Sequence, residues 1–182
     1  LREFTQGNSL DLRRKELTDI SPRLWNEAAG HIQVLDLSQN PALGDSGIPA
    51  DLSLMVNLRS LRLEQCNIHA LPDSLLASLI NLQSLDVSKN YLTKLFSGNV
   101  KPNWPALNYL NLNGNKLVVV PPICKDLPAL KQLHLHMNHI GDVRELCRPS
   151  FAGLEILDLG GNKVSELPGA FMHFCKSLIQ VT

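Results

Sequence analysis

The chain has 182 residues, with 17 basic and 17 acidic side chains, so its formal net charge is zero and no global field draws it toward nucleic acid or an anionic membrane. With 44% hydrophobic residues it can build a sizeable core, and no stretch reaches the roughly 20 apolar residues of a membrane-spanning helix. One elongated domain, without membrane insertion and without nucleic acid as a partner, is the expectation.

A short leader is expected at residues 1–8. Leu1 and Phe4 are spaced for one helical turn and Gly7 is placed to end it, so this turn would cover the exposed edge of the unit after it. From residue 9 onward one phrase recurs, L-x-x-L-x-L-x-x-N. Its second leucine-type position falls at Leu10, Leu35, Leu61, Leu85, Leu110, Leu133, Leu157 and Val181, at intervals of 25, 26, 24, 25, 23, 24 and 24 residues. Around each of these positions apolar and polar residues alternate, as in Leu85-Asp86-Val87-Ser88, which is the period of a short strand with one buried face. Such a strand cannot bury its leucines alone, but stacked in parallel with its copies it forms a continuous core.

Seven units are predicted over 9–177, and 178–182 reads as the start of an eighth, which suggests a piece cut from a longer protein. Asn40, Asn90, Asn115, Asn138 and Asn162 share the position where the chain turns inward, and an amide there supplies both a donor and an acceptor. Cys66 sits in the same column, and Lys15 departs from it in the terminal unit. The run PALGDSGI after Asn40 is longer than its counterparts and is expected to bulge as a loop around Asp45. Leucine-type residues followed by proline, as at Leu71-Pro72, Val120-Pro121 and Leu167-Pro168, mark where the chain turns outward. On the convex side Trp25, Leu76, Phe96, Ile123, Leu146 and Phe171 are expected to pack as core.

The period and the motif resemble the leucine-rich repeat, and the phrases SLDLRRKELTDISP and N-x-L-x-x-L-P are similar to the short cytoplasmic arrays of the Ras-suppressor and Scribble type and to leucine-rich repeat-containing protein forty. The resemblance implies an α/β solenoid, a curved horseshoe with a parallel β-sheet on its concave face and irregular, 3-10 or short helical convex segments. It also implies a scaffold or adaptor in signalling, a monomer that binds a protein partner on the concave face.

Four cysteines without close clusters, and 15 asparagines without an N-x-S/T sequon, point to free thiols and a cytoplasmic location. The longer connections, such as LPDSLLASLINL, keep an extracellular recognition ectodomain open as the alternative, and a targeting or autoinhibitory domain of a larger multidomain enzyme is a third reading. Neither a phosphate-cradling glycine loop nor a nucleophile elbow occurs, so no catalytic residue and no cofactor is expected.

The outward columns of the strands hold two candidate regions. One is a mixed-charge stretch with Asp36, Arg62, Glu64, Asp86 and Lys89. The other gathers Tyr109, Asn111, Asn113, His134, His136, Met137, Ile156 and Asp158, and is expected to be the energetic centre because Tyr109 combines apolar area with a polar tip. His134, His136 and Asp158 suggest a metal at first sight, but a flat sheet does not converge three ligands, so no metal is expected. The two imidazoles beside Asp158 make binding a candidate for pH dependence between about 5 and 8.

Overall fold

The structure is a computed structural model that describes residues 5–21, 26, 30–96, 98 and 101–181. Its frame is a nine-stranded sheet whose strands lie side by side in sequence order: β1 (Thr5–Gln6), β2 (Ser9–Asp11), β3 (Val34–Asp36), β4 (Ser60–Arg62), β5 (Ser84–Asp86), β6 (Tyr109–Asn111), β7 (Gln132–His134), β8 (Ile156–Asp158) and β9 (Gln180–Val181). From β2 to β9 the pairing is parallel and in register, with Leu10, Leu35, Leu61, Leu85, Leu110, Leu133, Leu157 and Val181 in one row. All the leucines of that row are essentially buried, so the strands stack for the reason their alternation gives. The product is the expected curved solenoid.

The leader departs from expectation. Leu1 and Phe4 lie outside the described residues, but Gly7 does not end a helix: at φ 59° it turns a hairpin in which β1 pairs antiparallel with β2. The first parallel strand thus has its edge covered by a strand.

The asparagine column closes each turn. The Asn90 amide donates to the carbonyls of Leu63 (2.8 Å) and Val87 (2.9 Å), and its oxygen accepts the N–H groups of Cys66 and Ile68, both at 2.9 Å. Asn40, Asn115, Asn138 and Asn162 repeat the bonds to their own unit and to the preceding one. Cys66 reaches the Leu37 carbonyl with its thiol at 3.2 Å, a weaker donor in the same place. Just before each slot the backbone is left-handed, at Arg14, Gln39, Gln65, Lys89, Gly114, Met137 and Gly161. In the two units whose slot is not asparagine the following residue, Glu16 or Asn67, is left-handed as well.

The run after Asn40 does not bulge as a loop. It forms a short helix, α1 (Ala42–Ser46), pressed so closely on the next unit that a Cβ at Gly44 would lie 2.0 Å from the Cys66 carbonyl oxygen. The convex side continues with a 3-10 turn at Ala50–Leu54, α2 (Ser74–Ser78), 3-10 turns at Pro122–Asp126, Arg144–Leu146 and Pro149–Phe151, and α3 (Phe171–Phe174). Leu76, Phe96, Leu146 and Phe171 are buried there as expected, Ile123 is only partly covered, and Trp25 lies outside the described residues. Trp104 fills the fourth unit, its ring edge-on to Phe96 and its indole N–H donating to the Leu75 carbonyl at 3.2 Å.

Candidate binding site on the concave face

The central outward column runs Asp11, Asp36, Arg62, Asp86, Asn111, His134, Asp158 across β2 to β8, and its members do not share one task. Asp11, Asp36, Asp86, Asn111 and Asp158 each accept the backbone N–H two residues on, at 2.9–3.1 Å, and so close the chain where the strand ends. Arg62 and His134 cannot do this, because neither side chain offers a carbonyl-type acceptor at that reach. In those units a side chain of the preceding repeat takes over: the Ser38 hydroxyl accepts the Glu64 N–H (3.2 Å), and the Asn113 carboxamide accepts the His136 N–H (2.7 Å). Arg62 and His134 are thereby released from closing the turn.

This division sorts the residues expected from sequence. Asp86 is fully engaged, accepting from Ser88 N–H and hydroxyl and from the Asn111 amide at 2.9 Å, and Asn113 supports the next strand. Asp158 holds the Gly160 N–H and faces His136, whose Nδ1 is 3.6 Å away, a contact that becomes an ion pair only when the imidazole is protonated. Ile156 is half-buried beside them, and Met137 projects from its left-handed turn with 64% of its surface exposed.

The two candidate regions are continuous. A trough of about 430 Å³ runs along the first of them, with Arg13, Asp36, Arg62 and Asp86 on its sides and Tyr109 at its far end. Asp36 is almost wholly buried at its base, 3.4 Å from Arg13 and 3.7 Å from Arg62. The hollow therefore lies on the mixed-charge half, and of the patch expected as the centre Tyr109 lines it. Burial, and then the charge of Asp86, push the Tyr109 phenol above its ordinary value, so it stays a neutral donor. The Tyr109 and His134 rings are 5.3 Å apart, and His134 Nε2 is buried with no hydrogen-bond partner among the described residues. Arg13 and Asp36 gained their place from the stacking of β2, β3 and β4; the sequence showed Asp36 as one charge in a column, without its burial.

The chemistry on offer is recognition. Arg13 chelates Asp11 and holds that carboxyl below its ordinary range, and Lys89 meets Glu64 at 2.7 Å. Burial raises the thiols of Cys66, Cys124 and Cys175 away from the reactive thiolate. No group of three or more His, Cys, Asp or Glu among the described residues is arranged to hold a metal ion.

Known proteins agree with this architecture. Models described as leucine rich repeats match residues 31–50, 56–117, 105–148 and 153–174. The monocyte differentiation antigen CD14 of Bos taurus is 37% identical over 150 residues, which cover 78% of this chain and 38% of the relative, so the chain spans little more than a third of that relative's length. Among solved structures, internalin C2 of Listeria monocytogenes superposes with a TM-score of 0.67 at 25% identity, covering 84% of this chain and 61% of that one. The structure of a TLR13–ssRNA13 complex gives a TM-score of 0.72 at 26% identity, covering 88% of this chain and 23% of that one. With an in-register ladder of leucines, an asparagine column and these matches along its length, the chain belongs to the leucine-rich repeat proteins.

Proposed function

We propose that this chain is a recognition module that holds a protein partner on its concave face, with Arg62, Tyr109 and His134 as the main contacts and Met137 at the margin. The observation that carries the reading is that Arg62 and His134 are released from closing their turns, which leaves these two side chains of the central column, with Tyr109 beside His134, available to meet a partner. The balanced charge of the trough supports a protein partner over a polyanion, since the walls carry carboxylates as well as guanidinium groups. A scaffold or adaptor in a reducing, cytoplasmic setting fits the four free cysteines and the absence of an N-x-S/T sequon. A second reading, an extracellular recognition ectodomain, is favoured by the relative named as a monocyte differentiation antigen.

Affinity capture from source cells, quantified by mass spectrometry, tests the concave site with wild type, Arg62→Glu/Tyr109→Ala and, as a convex control, Met172→Glu. Partners should be lost from the concave variant and kept by the convex one; equal capture by all three would remove the concave face as the site. Localising the full-length protein in the same cells separates the two settings.

A further inference from the structure

The solenoid opens on one flank between its fourth and fifth units. Leu71 bridges Phe96 and Val119 bridges Asp142, but among the described residues no such bridge joins Phe96 to the 118–121 run. Pro121 and Pro122 have no backbone N–H to give there. Above the gap the two units are tied by the Lys116 N–H to the Leu92 carbonyl at 2.9 Å, and among the described residues no further backbone bond joins them on this flank below it. A cleft of about 470 Å³ results, floored by Leu95, Phe96 and Leu117 and walled by Val119, Pro121 and Ile123. Val119 keeps 47% of its surface exposed although it faces this apolar recess. Small-molecule sites have this character, with volumes of roughly 300–1,000 Å³, mostly apolar lining and a few polar groups that fix orientation.

The rim supplies the polar groups. Lys101 and Lys125 border the cleft, and Asp126 is the carboxylate beside them. Some long cations elsewhere are matched, Lys89 to Glu64, Lys131 to Glu155, Arg144 to Asp142 and Arg148 to Glu145, while Arg59, Lys163 and Lys176 make no ion pair among the described residues. Among the described residues neither Lys101 nor Lys125 makes an ion pair. Two unmatched ammonium groups over a recessed apolar floor are complementary to a molecule with an anionic head and an apolar tail. A bilayer surface cannot enter such a recess, whereas a single chain can.

We propose that this cleft binds a fatty-acid-like amphiphile, its tail along Val119, Pro122 and Ile123 above the Leu95, Phe96 and Leu117 floor and its carboxylate between Lys101 and Lys125. The site is separate from the concave face and does not depend on it. Calorimetric titration with decanoate below its micelle-forming concentration tests it, with acetate and decyltrimethylammonium as comparisons. Decanoate should bind saturably at a single site and both comparisons about tenfold or more weakly, and Lys101→Glu/Lys125→Glu should weaken decanoate by about tenfold or more with an unchanged unfolding midpoint. Methyl NMR should show shifts at Leu117, Val119 and Ile123 and none at Ile156. The proposal is overturned by any of four results: no saturable binding, equal affinity for decyltrimethylammonium, indifference to the charge reversal in a folded variant, or shifts confined to the concave face.

Discussion

The Asn113 side chain accepts the backbone N–H of His136, one unit further along, at 2.7 Å. His136 is thus seated by its neighbour because His134 cannot close its own turn, and the same holds for Glu64 through Ser38 because of Arg62. Turn closure therefore falls on Asp86 and Asn113 and not on Arg62 and His134, and substitution should separate the two pairs.

Asp86→Ala and Asn113→Ala should each lower the free energy of unfolding by about 1–2 kcal/mol, since each leaves half-buried donors without their acceptor. Arg62→Ala and His134→Ala should stay within about 0.5 kcal/mol of wild type, the first because Arg62 is itself exposed, lies 3.7 Å from Asp36 and leaves Arg13 on that carboxylate, the second because its ring nitrogen closes no turn. Urea unfolding of the four variants decides the matter. An Arg62→Ala protein as weakened as Asp86→Ala would end the distinction.

Asn90 carries more. It donates to Leu63, Val87 and Ser88 carbonyls and accepts from Cys66 and Ile68, all inside the stack. Asn90→Ala should cost on the order of 2–4 kcal/mol, because several buried backbone groups lose their partner together. Asn90→Cys should recover part of that loss, since Cys66 holds the same slot in the preceding unit with a single thiol donor. Equal midpoints for the two variants in thermal unfolding would mean that the slot requires only small size.

The period and the alternation of apolar residues made the sheet, its register and the asparagine column legible, because the unit recurs along the chain, with asparagine in five of its slots, and burial enforces it. Single events were harder to read. Thr5–Gln6 joins the sheet as a hairpin strand through Gly7, a pairing that leaves no periodic trace in two residues. The run around Asp45 holds two glycines that suggest a loop, but Gly44 is there for close approach to Cys66 and Asn67. At the concave face the residue types were visible while their obligations were not: Asp86 and Asp158 looked like contact charges, and only the turn geometry shows them occupied. The flank cleft was hidden because it lies where, among the described residues, no bridge joins Phe96 to the run before Pro121.

Gly44 offers a sharp comparison with Gly141. A Cβ at Gly44 would stand 2.0 Å from the Cys66 carbonyl oxygen and 2.5 Å from the Asn67 carbonyl carbon, both backbone atoms that cannot swing aside. Gly44→Ala should therefore cost about 1–3 kcal/mol or more by forcing α1 away from the stack. At Gly141 nothing lies within 4 Å, so Gly141→Ala should be neutral or stabilise by about 0.4–1 kcal/mol through the unfolded chain. Chemical denaturation of the pair checks this, and equal costs would show that α1 is not packed as described.

The buried thiols should appear in the alkaline limb of stability. Cys124 sits in the Pro122–Asp126 turn, 1% exposed, and burial pushes its thiol from an ordinary 9.0 up to about 12. The native state then keeps a proton that the unfolded chain releases, so the contribution is fully present below about pH 9 and is lost as pH rises toward 12. Cys175 is raised in the same way, to about 11, first by burial and then by neighbouring Cys147, which the stack brings beside it from a segment that looked separate in sequence. Unfolding free energies measured at steps between pH 7 and 11 should fall more steeply above pH 9 for wild type than for Cys124→Ala, although the variant starts lower through its lost core volume. Alkylation near pH 8 should label Cys147, the partly exposed thiol, first, with the three buried thiols reacting only on unfolding. Parallel pH curves for wild type and variant, or early labelling of Cys124, would show that this turn opens to solvent in the native protein.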